Sequence, residues 1–280
     1  MGTGPYKLVD FKPGDVALFE LNPHYHVPNR PFFDTVELKG GGDATSGARA
    51  VIQTGAFDFA CCLAGVDKDV RERLARQGRK GAFHITPGAS LNYIALNRTD
   101  PWTEVDGGRS SVKVPHPFFT DLRVRQACAL AVDRRTIVEQ LHGATGQHTG
   151  NVLNGLKQFQ SPHTRWEFNL DKAAQLLEQV GRKRGNDGMR VKEGRRMRVV
   201  FQAAANLRNQ KAQAVVKQAL ERIGVEVELK AINAGVLFSS DPENPETYTH
   251  FYADMQMQGF AYGVDPQRNM RNNPKLWITH

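Results

Sequence analysis

The stretch that most limits the fold of this chain covers residues 197–232, where two strand-like segments flank a helical one. Residues 197–205 and 225–232 are rich in β-branched residues, and residues 208–224 carry a helical pattern that ends at Gly224. A strand, a helix and a second strand in this order form a βαβ unit, and a right-handed crossover is expected if the strands are parallel. The sequence therefore predicts an α/β fold for its second half.

The turn between the first strand and the helix of this unit bears on dinucleotide binding. It contains no glycine and reads Ala203-Ala204-Ala205-Asn206-Leu207. Without glycine the backbone cannot easily approach a pyrophosphate. A dinucleotide site is therefore not expected here.

A second strong pattern covers residues 118–142, near the middle of the chain. Its apolar positions recur at steps of three and four residues, as on one face of a helix, and include Val124, Ala127, Cys128 and Ala131. Thr120 or Asp121 can cap its start, and Asp133 offers a second cap after a bend. The sequence predicts a pair of helices here that opens the second domain.

The N-terminal part is expected to be rich in strands. Residues 4–38 alternate between apolar and polar side chains and are interrupted by turn residues, which predicts antiparallel strands. Residues 43–54, with Asp43 as a cap, and residues 66–77 carry helical patterns. Residues 83–88 and 90–97 are predicted to form two more strands.

Two segments are predicted to lack regular structure. Residues 98–117 hold several prolines and glycines and few apolar residues, which predicts a linker or an exposed loop, with the hinge assigned to residues 101–117. Residues 182–198 contain the densest run of basic residues in a chain with a formal charge of +8. A nucleic-acid interface would combine such charges with aromatic residues, and this run has none. A solvated loop is the expected structure, and nucleic acid is not an expected partner.

No arrangement of side chains predicts catalysis or metal binding. Three cysteines form no disulfide framework, and small buried side chains are expected for Cys61, Cys62 and Cys128. The histidine pairs His24/His26 and His142/His148 have no third ligand nearby in sequence. No serine lies in a nucleophile turn. We therefore expect no catalytic residues, no metal, no cofactor and no enzymatic activity.

Residues 248–270 combine five aromatic residues with interleaved polar ones. Aromatic walls with a few polar anchors are typical of a small-molecule or peptide cleft. The alternative is an ordinary core strand followed by a turn at Asp265-Pro266. The pattern alone does not decide between these two interpretations.

Taken in order, several segments resemble one family, the extracytoplasmic solute-binding proteins of ABC transporters in the oligopeptide, dipeptide and nickel-binding group. The matching segments cover nearly the whole chain: GTGPYKLVDFKPGD with NPHYH, DATSGARAVIQTGAFDFA, NYIALN, TDLRVRQACALAVDRRTIVEQLHGATG, SPHTRWEFNLDKAAQLLEQVG, QAVVKQALERIGVEVEL and GFAYGVDPQ. Each is weak alone, and their order and spacing make the match specific.

This resemblance implies a fold and a function. The implied fold is α/β and resembles the two-lobe periplasmic binding proteins of type II, although it is incomplete. The first lobe, at residues 1–100, is expected to be β-rich, and the second lobe, at residues 118–280, is expected to be α/β. It implies a monomer that captures a peptide or other small solute between the lobes for an ABC transporter permease, outside the cytoplasm. Ligand-binding positions are expected on the NYIALN strand and the GFAYGVDP turn, namely Tyr93, Asn97, Gln258, Gly259, Phe260, Tyr262 and Asp265.

The chain departs from the family pattern in three ways. One is that it stops soon after GVDPQRNM, before the segment that the resemblance leads us to expect would return to the first lobe. Family members are longer and begin with an export signal, whereas no signal peptide is expected from the residues that follow Met1. Peptide-binding relatives carry an acidic residue a few positions before the proline of the turn, where this chain has Tyr262, and Asp265 adjoins the proline instead. The alternatives are therefore a truncated, non-functional gene fragment or, with less support, a basic nucleic-acid-binding domain.

Overall fold

The structure is a computed structural model that describes residues 2–61, 63–86, 88, 90–153, 155 and 157–261, without the side chains of Ala64 and Phe260. The chain divides into two compact units, Met1–Phe83 and His84–His280. This division falls before residue 100, where the sequence predicted the end of the first lobe. The predicted lobe bounds stay a prediction.

Unit 1 contains a three-stranded antiparallel sheet of β1 (Tyr6–Lys12), β2 (Val16–Leu21) and β3 (Thr35–Lys39), in the order β1-β2-β3. The predicted antiparallel strands are thereby confirmed. The register of β1 shifts between Leu8 and Asp10, because Leu8 pairs with Phe19 whereas Phe11 pairs with Ala17. This bulge brings Leu8 and Phe11 to the same face of the sheet.

The helices of unit 1 have a small core of their own. Helix α1 (Ala44–Arg49) continues as a π-helical turn over Ala50–Thr54, and α2 spans Lys68–Gln77. The carboxylate of Asp43 accepts a hydrogen bond from the Ser46 N–H, which confirms the predicted cap. The buried core residues are Ala48, Ile52, Val66 and Leu74. The strand predicted over residues 83–88 is wrong for the described positions, which adopt no regular structure.

Unit 2 contains most of the secondary structure. Its elements in chain order are β4 (Ser90–Leu96), α3 (Leu122–Leu130), α4 (Arg134–Ile137), α5 (Leu170–Gln179), β5 (Lys183–Arg184), β6 (Arg190–Lys192), β7 (Arg195–Arg196), β8 (Arg198–Ala204), α6 (Leu207–Arg222), β9 (Glu226–Ile232), α7 (Ala234–Leu237) and β10 (Met255–Ala261). The main sheet has the order β4-β10-β8-β9. Strands β8 and β9 are parallel and joined by α6, so the predicted βαβ unit is confirmed.

One large core lies between this sheet and three helices. It includes Phe201 of β8 and Met255 of β10, together with Val124 of α3, Leu177 of α5 and Val216 of α6. Asp121 caps α3 and Asp133 caps α4, as the sequence predicted. Cys128 of α3 is buried in this core, which confirms its expected role as a small apolar side chain, whereas Cys61 is exposed, against expectation.

The basic run at residues 182–198 is not a solvated loop, because β5, β6 and β7 form a small antiparallel sheet within it. Arg190 is buried at its centre and donates hydrogen bonds to the carbonyl oxygen of Ile223 at 2.6 Å and to Glu178 Oε1 at 2.5 Å. Arg196 pairs with Asp187 and Glu226. Much of the positive charge in this run is therefore held by carboxylates and carbonyls.

No helix in the described part of the chain is both long enough and apolar enough to cross a membrane.

Candidate ligand site

Strands β4 and β10 pair over their full lengths, whereas β10 pairs with β8 only at its start. The antiparallel register runs from Met255↔Leu96 to Ala261↔Ser90, and the parallel register with β8 ends at Met257↔Ala203. The C-terminal half of β10 and the N-terminal half of β4 therefore extend past β8 as a two-stranded ribbon.

The two faces of this ribbon differ in chemistry. Ile94, Leu96, Met255 and Met257 pack into the large core beneath the helices. Because alternate strand residues point to opposite faces, Tyr93, Gln256 and Gln258 lie on the face away from that core. That face carries hydroxyl and amide groups.

Tyr93 and Gln258 are brought together directly across the strand pair. Partial burial raises the pKa of the Tyr93 hydroxyl to about 12, and the nearby Tyr248 hydroxyl adds to this rise, whereas a side-chain hydrogen bond with Gln258 opposes it. Tyr93 is therefore neutral near pH 7. It can donate or accept a hydrogen bond but cannot supply a charge.

A row of amides continues from Gln258 along the same face. Gln202 of β8 donates its side-chain N–H to Oε1 of Gln256, and Gln256 donates to the Tyr248 carbonyl oxygen at 3.2 Å. Both glutamines are buried. This row fixes the stretch before β10 against the sheet and leaves Gln258 at its more accessible end.

A buried network of hydrogen bonds that includes Asn97 stabilises the opposite end of the strand pair. The Asn97 side-chain amide donates to the carbonyl oxygen of Phe251 at 2.9 Å and lies 3.1 Å from Ser110 Oγ, and its Oδ1 accepts from the Thr99 N–H at 3.0 Å. Asn97 is fully buried. Its predicted contact with a ligand stays untested, and the structure gives it an internal role.

His116 and Asp254 complete this network. Nδ1 of His116 accepts hydrogen bonds from the N–H groups of Phe118 and Phe119, both at 3.0 Å, so its Nε2 is assigned as the donor to Asp254 Oδ1 at 2.9 Å. Asp254 also accepts from Trp102 Nε1 at 3.2 Å and from the Val200 N–H at 2.7 Å. Both ring nitrogens of His116 therefore take part in hydrogen bonds within the protein.

The predicted linker at residues 98–117 is therefore not an exposed loop throughout. Asp100, Ser110 and His116 are buried within it. An isolated bridge between Thr99 and Pro115 closes the segment on itself. Its polar composition suggested solvent exposure, whereas these buried side chains form hydrogen bonds with other groups of the protein.

The structure places four of the predicted site residues on the ribbon, namely Tyr93, Gln258, Gly259 and Phe260. A Cβ atom at Gly259 would lie 2.7 Å from Oδ1 of Asn92, so a larger residue there would displace that side chain. Phe260 lies on β10 opposite Leu91. Tyr262 and Asp265 fall outside the described residues.

Sequence reasoning missed other residues of this region. His116 bonds to Asp254, and Gln202 bonds to Gln256, and both pairs join residues that lie far apart in sequence. For residues 248–270, the structure shows a strand at Met255–Ala261 that is buried at Met255 and Gln256 and exposed at Gly259 and Ala261, so the choice between a core strand and a ligand cleft stays open. No group of three side chains suited to hold a metal ion occurs in the ranges that the structure describes.

The chain is similar to solute-binding proteins in sequence and in fold. It is 26% identical over 275 residues to the oligopeptide-binding protein AppA of Bacillus subtilis. The aligned region covers 96% of this chain and 45% of that protein. Its fold matches lactococcal OppA, solved with an endogenous peptide, with a TM-score of 0.79 at 18% identity over 99% of this chain and 50% of that one. NikA of Brucella suis, solved with Fe(III)-EDTA, matches with a TM-score of 0.71 at 21% identity over 94% of this chain and 48% of that one.

These similarities confirm the predicted α/β class and its likeness to periplasmic binding proteins. The chain spans about half the length of the relatives it matches. A family model described as bacterial extracellular solute-binding proteins, family 5 middle, matches residues 1–274. The chain therefore belongs to the family 5 bacterial extracellular solute-binding proteins.

Proposed function

We propose that this chain is the substrate-binding component of a peptide-type ABC transporter. It captures a peptide or similar small solute in an interlobe cleft and delivers it to a membrane permease. The observation that carries this proposal is the family match over residues 1–274. The ribbon of β4 and β10, with neutral hydrogen-bonding groups on one face, supplies a place for the ligand.

Proteins of this family are transport proteins that bind solutes outside the cytoplasm, and they are not enzymes. We propose that this chain also binds its solute outside the cytoplasm and that it acts as a monomer. We further propose lobes at residues 1–100 and 118–280 with a hinge at 101–117, although the compact units divide at Phe83.

A peptide is the favoured class of ligand because of the chemistry of the ribbon. Gln258 offers an amide and Tyr93 a neutral hydroxyl, both only partly buried. Such groups can pair with main-chain amides, whose hydrogen bonds do not depend on the ligand's sequence. We propose four further contacts, Gly259, Phe260, Tyr262 and Asp265. The family resemblance implies that Tyr262 stands where peptide-binding relatives carry the carboxylate that binds the ligand's amino group.

Calorimetric titration tests this function. Mixed peptides of two to five residues are titrated into this chain and into a version extended upstream in its reading frame. Binding with micromolar affinity, weakened in Gln258→Ala but not in the matched exposed variant Gln218→Ala, supports the proposal. Absence of binding to both versions contradicts it.

A further inference from the structure

Two aromatic rings lie exposed in unit 2 close to the ribbon. Phe238 follows α7, and Tyr248 lies ten residues later; their ring centroids are 5.8 Å apart with an interplanar angle of 53°. The rings stay accessible, with 53% of Phe238 and 37% of Tyr248 exposed. Paired rings of this kind offer a large apolar surface to a third ring.

The backbone that carries these rings is held in place. The Tyr248 N–H donates to the Leu237 carbonyl oxygen at 2.8 Å, and the Tyr248 carbonyl oxygen accepts from Gln256 Nε2 at 3.2 Å. Leu237 is buried against Ala204 and Ile232. A surface fixed in this way loses little conformational entropy when a ligand binds.

The ring pair is continuous with the ribbon face. Tyr248 lies near enough to Tyr93 to add to the raised pKa of its hydroxyl, after the larger effect of burial. Gln256, which bonds to the Tyr248 carbonyl, lies two positions before Gln258 on the same face of β10. Glu246, two residues before Tyr248 in the chain, forms an ion pair with Lys230 of β9 at 2.9 Å, so its carboxylate has a partner within the protein.

We propose that Phe238 and Tyr248 form a side-chain subsite, which takes an aromatic or large apolar side chain of the bound peptide. The main chain of the peptide lies against Tyr93 and Gln258, and the side chain reaches the ring pair. This inference rests on the proposed function and adds a preference for one class of side chain.

Two tripeptides that differ in one side chain test the subsite on the full chain. Ala-Phe-Ala and Ala-Ala-Ala are titrated by calorimetry into the wild type, Phe238→Ala and Phe159→Ala, the last being a control at another exposed phenylalanine. The wild type should bind Ala-Phe-Ala more tightly than Ala-Ala-Ala. Phe238→Ala should lose about threefold to tenfold in affinity for Ala-Phe-Ala alone. Phe159→Ala should behave as the wild type.

A second variant, Tyr248→Leu, removes the other ring and should reduce the same preference. Circular dichroism confirms that each variant is folded. Equal affinities of the wild type for both tripeptides, or equal losses for both in Phe238→Ala, would overturn the subsite while leaving the proposed function standing. If neither this chain nor the version extended upstream binds either tripeptide or the mixed peptides, both the subsite and the proposed function would be overturned.

Discussion

The sheets of the two units carry similar strand patterns and differ in what covers them. In unit 1, Phe11 and Leu38 point to one face and remain 60% and 56% exposed. In unit 2, Val199, Phe201 and Val227 also share a face and are at most 2% exposed. Helices α3, α5 and α6 cover the second sheet, whereas α1 and α2 bury a separate core. Alternation identifies a strand, and the elements packed on it decide its burial.

The same substitution in both sheets should give the largest contrast. Phe201→Ala removes a fully buried ring and should lower the free energy of unfolding of unit 2 by about 3–5 kcal/mol. Phe11→Ala removes an exposed ring and should cost less than about 0.5 kcal/mol. Urea unfolding monitored by circular dichroism measures both. Equal losses would show that the face of Phe11 is covered in solution.

Two arginines of the basic run sharpen the contrast within unit 2. Arg190→Met removes a buried guanidinium and leaves the carbonyl oxygen of Ile223 unpaired, which should cost about 3 kcal/mol. Arg196→Met breaks exposed ion pairs and should cost less than about 1 kcal/mol. Thermal unfolding of the two variants gives the comparison, and a larger loss for Arg196→Met would contradict it.

Asp254→Asn tests the network at the base of the ribbon. The new amide nitrogen at position 254 would face one of the three N–H groups that donate to Asp254. His116 cannot relieve this clash by moving its proton to Nδ1, because Nδ1 already accepts two hydrogen bonds. The expected loss is about 2 kcal/mol in the free energy of unfolding. The exposed change Asp106→Asn serves as the control and should cost less than about 1 kcal/mol. A neutral effect of Asp254→Asn would show that the network rearranges.

Thiol labelling compares the two units through their cysteines. Burial raises the pKa of Cys128 to about 12, so little thiolate exists at pH 8, whereas Cys61 is exposed. Cys61 should react within minutes and Cys128 only on unfolding, as followed by peptide mapping. An unfolded thiol has a pKa of about 8.5. The raised pKa of Cys128 therefore contributes its full stabilisation of unit 2 below that pH, and the contribution is lost as the pH rises from there toward 12. Rapid labelling of Cys128 in folded protein would contradict its burial.

The sequence predicted elements whose signals are local. Periodicity and capping residues within a few positions were enough to predict three features: the βαβ unit, the caps at Asp121 and Asp133, and the three strands of unit 1. Each of these features needs no information from distant parts of the chain.

The features that the sequence did not reveal depend on contacts between distant residues. His116 meets Asp254 across 138 positions, and Arg190 meets the carbonyl of Ile223 across 33. A segment whose polar residues are buried by such contacts has the same composition as a solvated loop, so composition alone does not distinguish the two. Tyr93 and Gln258 were expected at the site from a family resemblance, and their pairing emerges only from the register of β4 and β10.

Hydrogen exchange measured with and without bound peptide tests the ligand site most directly. If the ribbon holds the ligand, saturating peptide should slow amide exchange in residues 90–96 and 255–261 at least tenfold, and leave the unit 1 strands β1 to β3 less affected. Peptide binding that protects other segments and leaves the ribbon unchanged would contradict the placement of the site on β4 and β10.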